Sequence, residues 1–304
     1  MANPRTLITG VAGFTGRYVA RLLAGRGHEL HGIVHESATN LDDVHRTYEG
    51  DLADLPTVRR IVDDVRPDYV IHLAGIAFVA HSNIDQIYRS NVLGTRQLLE
   101  ALASLSQSPR SVLLASSANV YGNACEGELD ESTSFAPAND YGVSKVAMEY
   151  VAGLYASRLP LIIARPFNYT GRGQSSRFII PKIIDHAREK SAMIELGNIE
   201  VARDFSDVRA VAEIYVRLLA ETRAIGGTYN VCSGTAVTLQ QVLEMVWSLS
   251  GHRFEVRVNP MFVRSNEVRV LQGSKKKLES VIGSVPSVPL EETLRWMLES
   301  EACA

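Results

Sequence analysis

Cysteine is scarce in this 304-residue chain: Cys125, Cys232 and Cys303 are the only three. With no C-x-x-C and no histidine at metal spacing, neither a disulfide framework nor a zinc site is expected, and no metal at all. Reduced thiols fit a cytoplasmic location. Long apolar runs are also missing, since none approaches about 20 residues, and Met1-Ala2-Asn3-Pro4-Arg5 leads into a strand without an apolar signal region. A soluble protein with no membrane partner is expected. Charge of one sign is lacking too: 31 basic and 34 acidic side chains leave a net charge of −3, with no field for nucleic acid or anionic lipid. Lys275-Lys276-Lys277, the only basic triplet, reads as a solvated helix start. There is no internal repeat or low-complexity tract.

What is present is an ordinary globular composition, 46% hydrophobic and 21% charged, in a chain long enough for one large α/β domain or a nucleotide domain with a smaller partner. Short apolar runs alternate with longer helical patterns through the first half, which predicts βαβ units and a doubly wound parallel sheet. Strands are expected at Thr6 to Thr9, Glu29 to Val34, Tyr69 to Leu73, Ser111 to Ala115 and Leu161 to Ala164. The continuous apolarity of the last three implies cover on both faces. Helices are expected over Tyr18 to Ala24, Ile84 to Ser104 and Tyr141 to Ser157. After about Phe167 the alternation weakens, so residues 1–167 are read as the cofactor domain and 168–304 mainly as a smaller mixed α/β lobe. The first domain is expected to take chain back from about 205–235, with Ala210 to Ala220, Tyr229 to Val231 and Leu239 to Leu249 as candidates.

Gly10-Val11-Ala12-Gly13-Phe14-Thr15-Gly16 follows the first apolar strand and opens the first helix. Glycines there permit a tight turn, close approach of a pyrophosphate to backbone N–H groups, and close packing of helix on strand. The turn, with Phe14 and Thr15, is therefore a dinucleotide candidate. An NAD site usually shows an acid at the end of the second strand. Here Val34-His35-Glu36 places His35 where that acid is expected, and Arg17 follows the last glycine, so positive charge can meet a 2′-phosphate. NADP(H) is expected over NAD(H), with Glu36 keeping NAD open. Asp51, beside Leu52, reads either as a wall of the adenine pocket or as an N-cap for the helix from Leu55. Leu73-Ala74-Gly75 ends a buried strand at its carboxyl edge, where ligands sit in open α/β sheets.

Tyr141-Gly142-Val143-Ser144-Lys145 opens a helix and puts Tyr141 and Lys145 on one face. A phenol with an ordinary pKa of about 10 is poorly poised at neutral pH, and a lysine ammonium one turn away favours the phenolate. Such a pair can deliver a proton to a ketone oxygen that gains a hydride on its carbon. A further hydroxyl is needed to orient that oxygen, and Ser116 and Ser117 both lie at the carboxyl end of the Ser111 to Ala115 strand.

Together these segments resemble the extended short-chain dehydrogenase/reductase family, in its nucleotide-sugar branch. The resemblance runs along nearly the whole chain, adding Asn91-Val92-Leu93-Gly94-Thr95, Ser116-Ser117-Ala118-Asn119-Val120-Tyr121-Gly122 and Arg165-Pro166-Phe167-Asn168. It implies Ser117 as the catalytic hydroxyl, beside Tyr141 and Lys145, and Asn91 and Pro166 as further cofactor contacts. Dehydratases of the branch carry a glutamate between that hydroxyl and the valine, whereas this chain has Ala118 and Asn119, so the resemblance implies a reductase or an epimerase. Substrate handles carried over from the family are Asn168, Arg203, Arg264 and Glu267. Lys182 and Arg209 are read as added positive charge near the same phosphates, since arginine grips phosphate bidentately.

The segments around Asn168 and Arg203 are similar to the GDP-mannose side of the branch. They imply NADPH-dependent reduction of the C4 ketone of GDP-4-dehydro-6-deoxy-D-mannose to GDP-D-rhamnose. An NAD-dependent 4-epimerase and a non-catalytic dinucleotide sensor are the alternatives. A homodimer through the Ile84 to Ser104 and Tyr141 to Ser157 helices is implied as well. Gly75 departs from the more usual alanine and is expected to leave the cofactor site intact but to reshape the pocket near Phe78 and Val79.

Overall fold

The structure, a computed structural model, describes residues 3–35, 41–77, 83–122, 127–262 and 269–299. Seven parallel strands form the main sheet, in the edge-to-edge order Thr228–Val231, Leu161–Pro166, Ser111–Ala115, Tyr69–His72, Arg5–Thr9, Glu29–Val34 and Arg46–Glu49. Starting from Arg5–Thr9 the chain winds outward to one edge and then crosses to Tyr69–His72 to wind toward the other. That reversal opens a crevice at the carboxyl ends of these two strands, the standard ligand position of a doubly wound sheet. The register is direct: Thr9 lies opposite both Ile33 and His72, so Gly10 and Leu73 emerge side by side.

Each face of the sheet is covered by its own apolar core, which is why the central strands read as unbroken apolar runs. On one face Val19 and Leu23 of the helix Phe14–Gly25 meet Val211, Tyr215 and Leu218 of the helix Val208–Ala220. On the other, Ile61 and Val62 of the helix Leu55–Val65 meet Leu98, Leu99 and Leu102 of Thr95–Ala103 and Met148 of Asp140–Gly153. Full burial of each such side chain contributes roughly 1.5–3 kcal/mol before entropy is counted.

The chain returns to the first core with two further elements after Val208–Ala220. Thr228–Val231 pairs with Leu161–Pro166, and Leu278 of the helix Lys276–Ile282 also packs there. Leu239–Ser250, in contrast with the sequence expectation, does not return. Its Val242, Leu243 and Val246 pack against Ile183 and Ile184 of Ile179–Arg188 and Leu294 of Leu290–Leu298, making a third core in the second lobe. An amphipathic stripe names a buried face but not its partner.

The predicted helix from Ile84 to Ser104 is three pieces, Ile84–Tyr88, a π turn at Arg89–Gly94, and Thr95–Ala103. The helix predicted from Tyr141 to Ser157 spans Asp140–Gly153. No helix among the described residues is long and apolar enough to cross a membrane.

Candidate active site

The glycine turn is shaped by contacts that exclude side chains. Gly10 has φ +71°, and a Cβ there would lie 2.8 Å from the backbone nitrogen of Ala74. A Cβ on Gly16 would collide with the Gly10 carbonyl, so the helix Phe14–Gly25 sits directly on the turn. No side chain caps that helix at Gly13, and its first N–H groups open on a cleft. The cleft has a volume of about 450 Å³ and is bounded on this side by Gly10, Gly13, Phe14, Thr15 and Gly16. An uncapped helix start that no side chain fills suits an anionic diphosphate.

Across the cleft stand Ser117, Tyr141 and Lys145, with Leu73, Gly75, Pro166 and Asn168 completing the walls. Asn139 caps the helix Asp140–Gly153 by accepting from the Gly142 N–H at 2.8 Å, which sets Tyr141 in the first turn. One turn on, Lys145 Nζ donates to the Ala115 carbonyl at 2.8 Å. Burial pulls the Lys145 ammonium down to about 8, with Glu149 opposing that fall.

The Tyr141 phenol moves against expectation. Burial pushes it up to about 12, a side-chain hydrogen bond with Ser117 pulls the other way, and Tyr169 adds to the rise. Desolvation of the phenolate outweighs the one-turn spacing to Lys145, whose ammonium points at a carbonyl.

Ser116 and Ser117 are told apart by their partners. Ser116 Oγ donates to Glu149 Oε1 at 2.5 Å, and Glu149 is held by Arg165 through Nε at 2.9 Å and Nη2 at 2.6 Å. Arg165 Nη1 reaches the Tyr121 hydroxyl at 2.9 Å, which donates to Asn230 Oδ1 at 2.7 Å. Ser117 Oγ instead accepts from the backbone N–H and the side-chain amide of Asn119, both at 3.1 Å. The sequence reading missed this buried network, whose signal was Arg165 itself: an arginine inside an apolar strand needs a buried partner.

Asn91, on the π turn, stands behind the cleft. Its Oδ1 accepts from the Ile76 N–H at 2.8 Å and its Nδ2 donates to Ser144 Oγ at 2.9 Å. Thr95 Oγ1 donates to the Asn91 carbonyl at 2.7 Å, so it receives the N–H of His72 Nε2 at 2.9 Å. The other ring nitrogen then accepts from Thr9 Oγ1 at 2.7 Å, and Thr9 Oγ1 accepts from the Ala74 N–H at 3.2 Å. One proton per hydroxyl thus assigns the Nε2–H tautomer. Burial and the nearby Lys145 lower His72 to about 3, so the ring is neutral.

The remaining candidates have other surroundings. Ala74 holds the turn through Thr9, and Leu52 is buried in the second core. Asp51 pairs with Arg89 at 2.7 Å and accepts from Ala53, while the N-cap of Leu55–Val65 is Asp54. His35 is exposed just beyond Glu29–Val34, and Arg17 Nε donates to the Ala12 carbonyl at 3.1 Å.

Three of the expected substrate handles are not brought to the cleft. Arg209 does not line it: its guanidinium bonds buried Asp207 at 2.9 and 2.7 Å and lies 4.1 Å from the Trp296 ring centre. Lys182 Nζ donates to the Glu195 carbonyl at 2.8 Å and lies over Phe262, and Arg203 Nη1 donates to the Ala202 carbonyl. Arg264, Glu267, Glu36, Phe78 and Val79 lie outside the described residues. Asn168 is the handle that faces the cleft, and its Nδ2 is buried without a hydrogen-bond partner. A buried amide donor of that kind is left open to a further acceptor. Tyr169, not foreseen, stacks on Phe14 with ring centres 6.0 Å apart and shares a 2.9 Å hydrogen bond with Thr15 Oγ1.

Residues 7–297 match the family described as GDP-mannose 4,6 dehydratase. The chain belongs to that family. The family's nucleotide-sugar, nicotinamide-dependent oxidoreductase character agrees with the resemblance carried by the sequence motifs. Two relatives are similar over almost the whole chain. A GDP-6-deoxy-D-talose 4-dehydrogenase of Aggregatibacter actinomycetemcomitans is 31% identical, covering 92% of both chains. A GDP-6-deoxy-D-mannose reductase of Pseudomonas aeruginosa is 32% identical, covering 97% of this chain and 96% of the relative. Among solved structures, a candidate epimerase from Burkholderia cenocepacia J2315 is 46% identical with a TM-score of 0.92 over 98% of both chains. RMD from Pseudomonas aeruginosa complexed with NADPH is 30% identical with a TM-score of 0.84, over 97% of this chain and 96% of that one.

Proposed function

We propose that this protein reduces the C4 ketone of GDP-4-dehydro-6-deoxy-D-mannose with NADPH, giving GDP-D-rhamnose. The carrying observation is the segment Ser117-Ala118-Asn119, which presents a hydroxyl to the cleft beside Tyr141 and has no carboxylate. Elimination of water needs an added acid/base at that place, and a carboxamide cannot take a proton from C5. Reduction needs none. The sugar class is supported by the two relatives named for GDP-6-deoxy sugars, and the cofactor by the NADPH complex together with His35 and Arg17.

In this reading the uncapped turn at Gly13 holds the cofactor diphosphate, and Lys145 faces its nicotinamide ribose. The bound cofactor supplies hydride. Ser117 donates to the C4 oxygen and orients it toward Tyr141, whose phenol, protonated at neutral pH, gives up its proton to that oxygen. Asn168 offers its unpartnered amide to the sugar diphosphate. Catalytic roles for Ser117, Tyr141 and Lys145 rest on their convergence at one cleft.

A second product is favoured by the talose 4-dehydrogenase relative: hydride on the opposite face of C4 gives GDP-6-deoxy-D-talose. The NAD-dependent 4-epimerase reading draws on the Burkholderia structure. Incubation with NADPH and GDP-4-dehydro-6-deoxy-D-mannose, followed by absorbance loss and identification of the deoxyhexose, separates all three. Rhamnose is the expected product; C4 equilibration without added NADPH means the epimerase. We also propose a homodimer, in which a second copy covers the exposed Val143 and Tyr150 of Asp140–Gly153 and the exposed Leu154 that caps its carboxyl end.

A further inference from the structure

We propose that Asn119 is a positioning residue that makes Ser117 a one-way hydrogen-bond donor. A serine oxygen has two acceptor positions and one proton. At Ser117 both acceptor positions are filled by Asn119, through its backbone N–H and its Nδ2–H at 3.1 Å each. The proton is then left for the cleft, which Tyr141 lines beside Ser117 and where the C4 oxygen is to sit.

The backbone contact comes with the turn whatever residue stands at 119. The side-chain contact does not. An acceptor in its place draws the Ser117 proton inward and reverses the bond. The turn also packs closely on the helix it serves: a Cβ at Gly142, next to Tyr141, would lie 2.7 Å from the Asn119 carbonyl oxygen. Ser116 cannot substitute as donor because its proton goes to Glu149. Residue 119 therefore does more than leave out a dehydratase acid, since its amide sets the direction of the neighbouring hydroxyl.

The turnover arm of the test rests on the reductase reading above, whereas a spectroscopic arm does not. Asn119→Asp is nearly isosteric but carries only acceptors when ionised. It is expected to lower kcat by about 100-fold, the scale of one lost carbonyl donor, with KM nearly unchanged. Rate should return as pH falls and the new carboxyl gains a proton. In a Ser117→Ala background the same change should have little further effect. Without turnover, the Tyr141 Cζ resonance of protein labelled with ¹³C-tyrosine, assigned through Tyr141→Phe, should move alike in Asn119→Asp and Ser117→Ala and no further in the double variant. Asn119→Ala, which removes the amide without adding charge, replaces the aspartate if that variant does not fold, with the same expected direction. An unmoved resonance in the Asn119 variants, or effects that add in the double variant, overturns the proposal. A wild type that reduces no 4-keto sugar removes the reductase reading alone, because the resonance still decides the role of Asn119.

Discussion

Ser116 and Ser117 are neighbours in sequence and opposites in hydrogen bonding: Ser116 gives its proton to Glu149, while Ser117 receives two N–H groups from Asn119. Their division of labour begins at the carboxyl end of Ser111–Ala115, where successive side chains leave on different sides of an extended backbone. One hydroxyl is tied into the core and its neighbour faces the cleft.

The tie on Ser116 is a stability element. Glu149 and Arg165 have side chains only 6% exposed, so removing one partner leaves the other charge buried and alone. Glu149→Gln is expected to lower unfolding free energy by about 3–5 kcal/mol in denaturant titrations. A loss under about 1 kcal/mol sinks the buried-pair account, that being the size of an exposed pair.

The pH profile of reduction should follow Lys145. Its pKa of about 8 means the ammonium is held below that pH and lost above it, while Tyr141, at about 12, keeps its proton throughout. For ketone reduction, kcat/KM is expected to be level from pH 6 to near 8 and then to fall, since that parameter reports the free enzyme's groups. Tyr141→Phe should lose about 100-fold or more in kcat yet retain cofactor binding by fluorescence titration. A profile that rises through pH 9 would falsify the assignment of the limb to Lys145.

Gly75 is a packing constraint. A Cβ there would lie 2.8 Å from Asn91 Oδ1 and 3.5 Å from Lys145 Nζ. Asn91 is fully buried and bonded to Ile76 and Ser144, so it has little room to yield. Gly75→Ala is expected to destabilise the protein by about 1–3 kcal/mol and weaken NADPH binding. Calorimetry and cofactor titration check both, and an unchanged melting temperature refutes the clash.

Oligomeric state is testable on one helix. Tyr150 and Leu154, 68% and 73% exposed, lie one turn apart. Sedimentation should find wild-type dimers and monomers for the Tyr150→Glu, Leu154→Glu variant, with the melting temperature of the monomer showing that it is folded. A wild-type monomer at micromolar concentration removes the dimer proposal.

The parts of the site legible in the sequence are those written locally. Gly10 to Gly16 and Tyr141 to Lys145 each lie within one turn or one helix, so spacing alone carries their geometry. The Glu149, Arg165, Tyr121 and Asn230 network joins residues 16, 44 and 109 positions apart, and only the folded sheet brings them together. The pairing of Arg209 was hidden for a simpler reason. A charge suited to phosphate looks the same in sequence when a buried aspartate two residues earlier already holds it. The direction of the Tyr141 shift was likewise invisible, because spacing conveys the nearby ammonium but not the depth of burial.

The line from Ala74 through Thr9, His72 and Thr95 to Asn91 has every hydrogen committed in a single sense. Its two ends are a backbone N–H and a backbone carbonyl, neither of which takes up or gives up a proton near neutral pH. The aligned bonds could pass a proton between their neighbours, but nothing at either end can feed one in, and the imidazole at the centre resists charge beside Lys145. The line behind the cleft therefore orients Thr9, His72 and Asn91 without offering a proton route of its own.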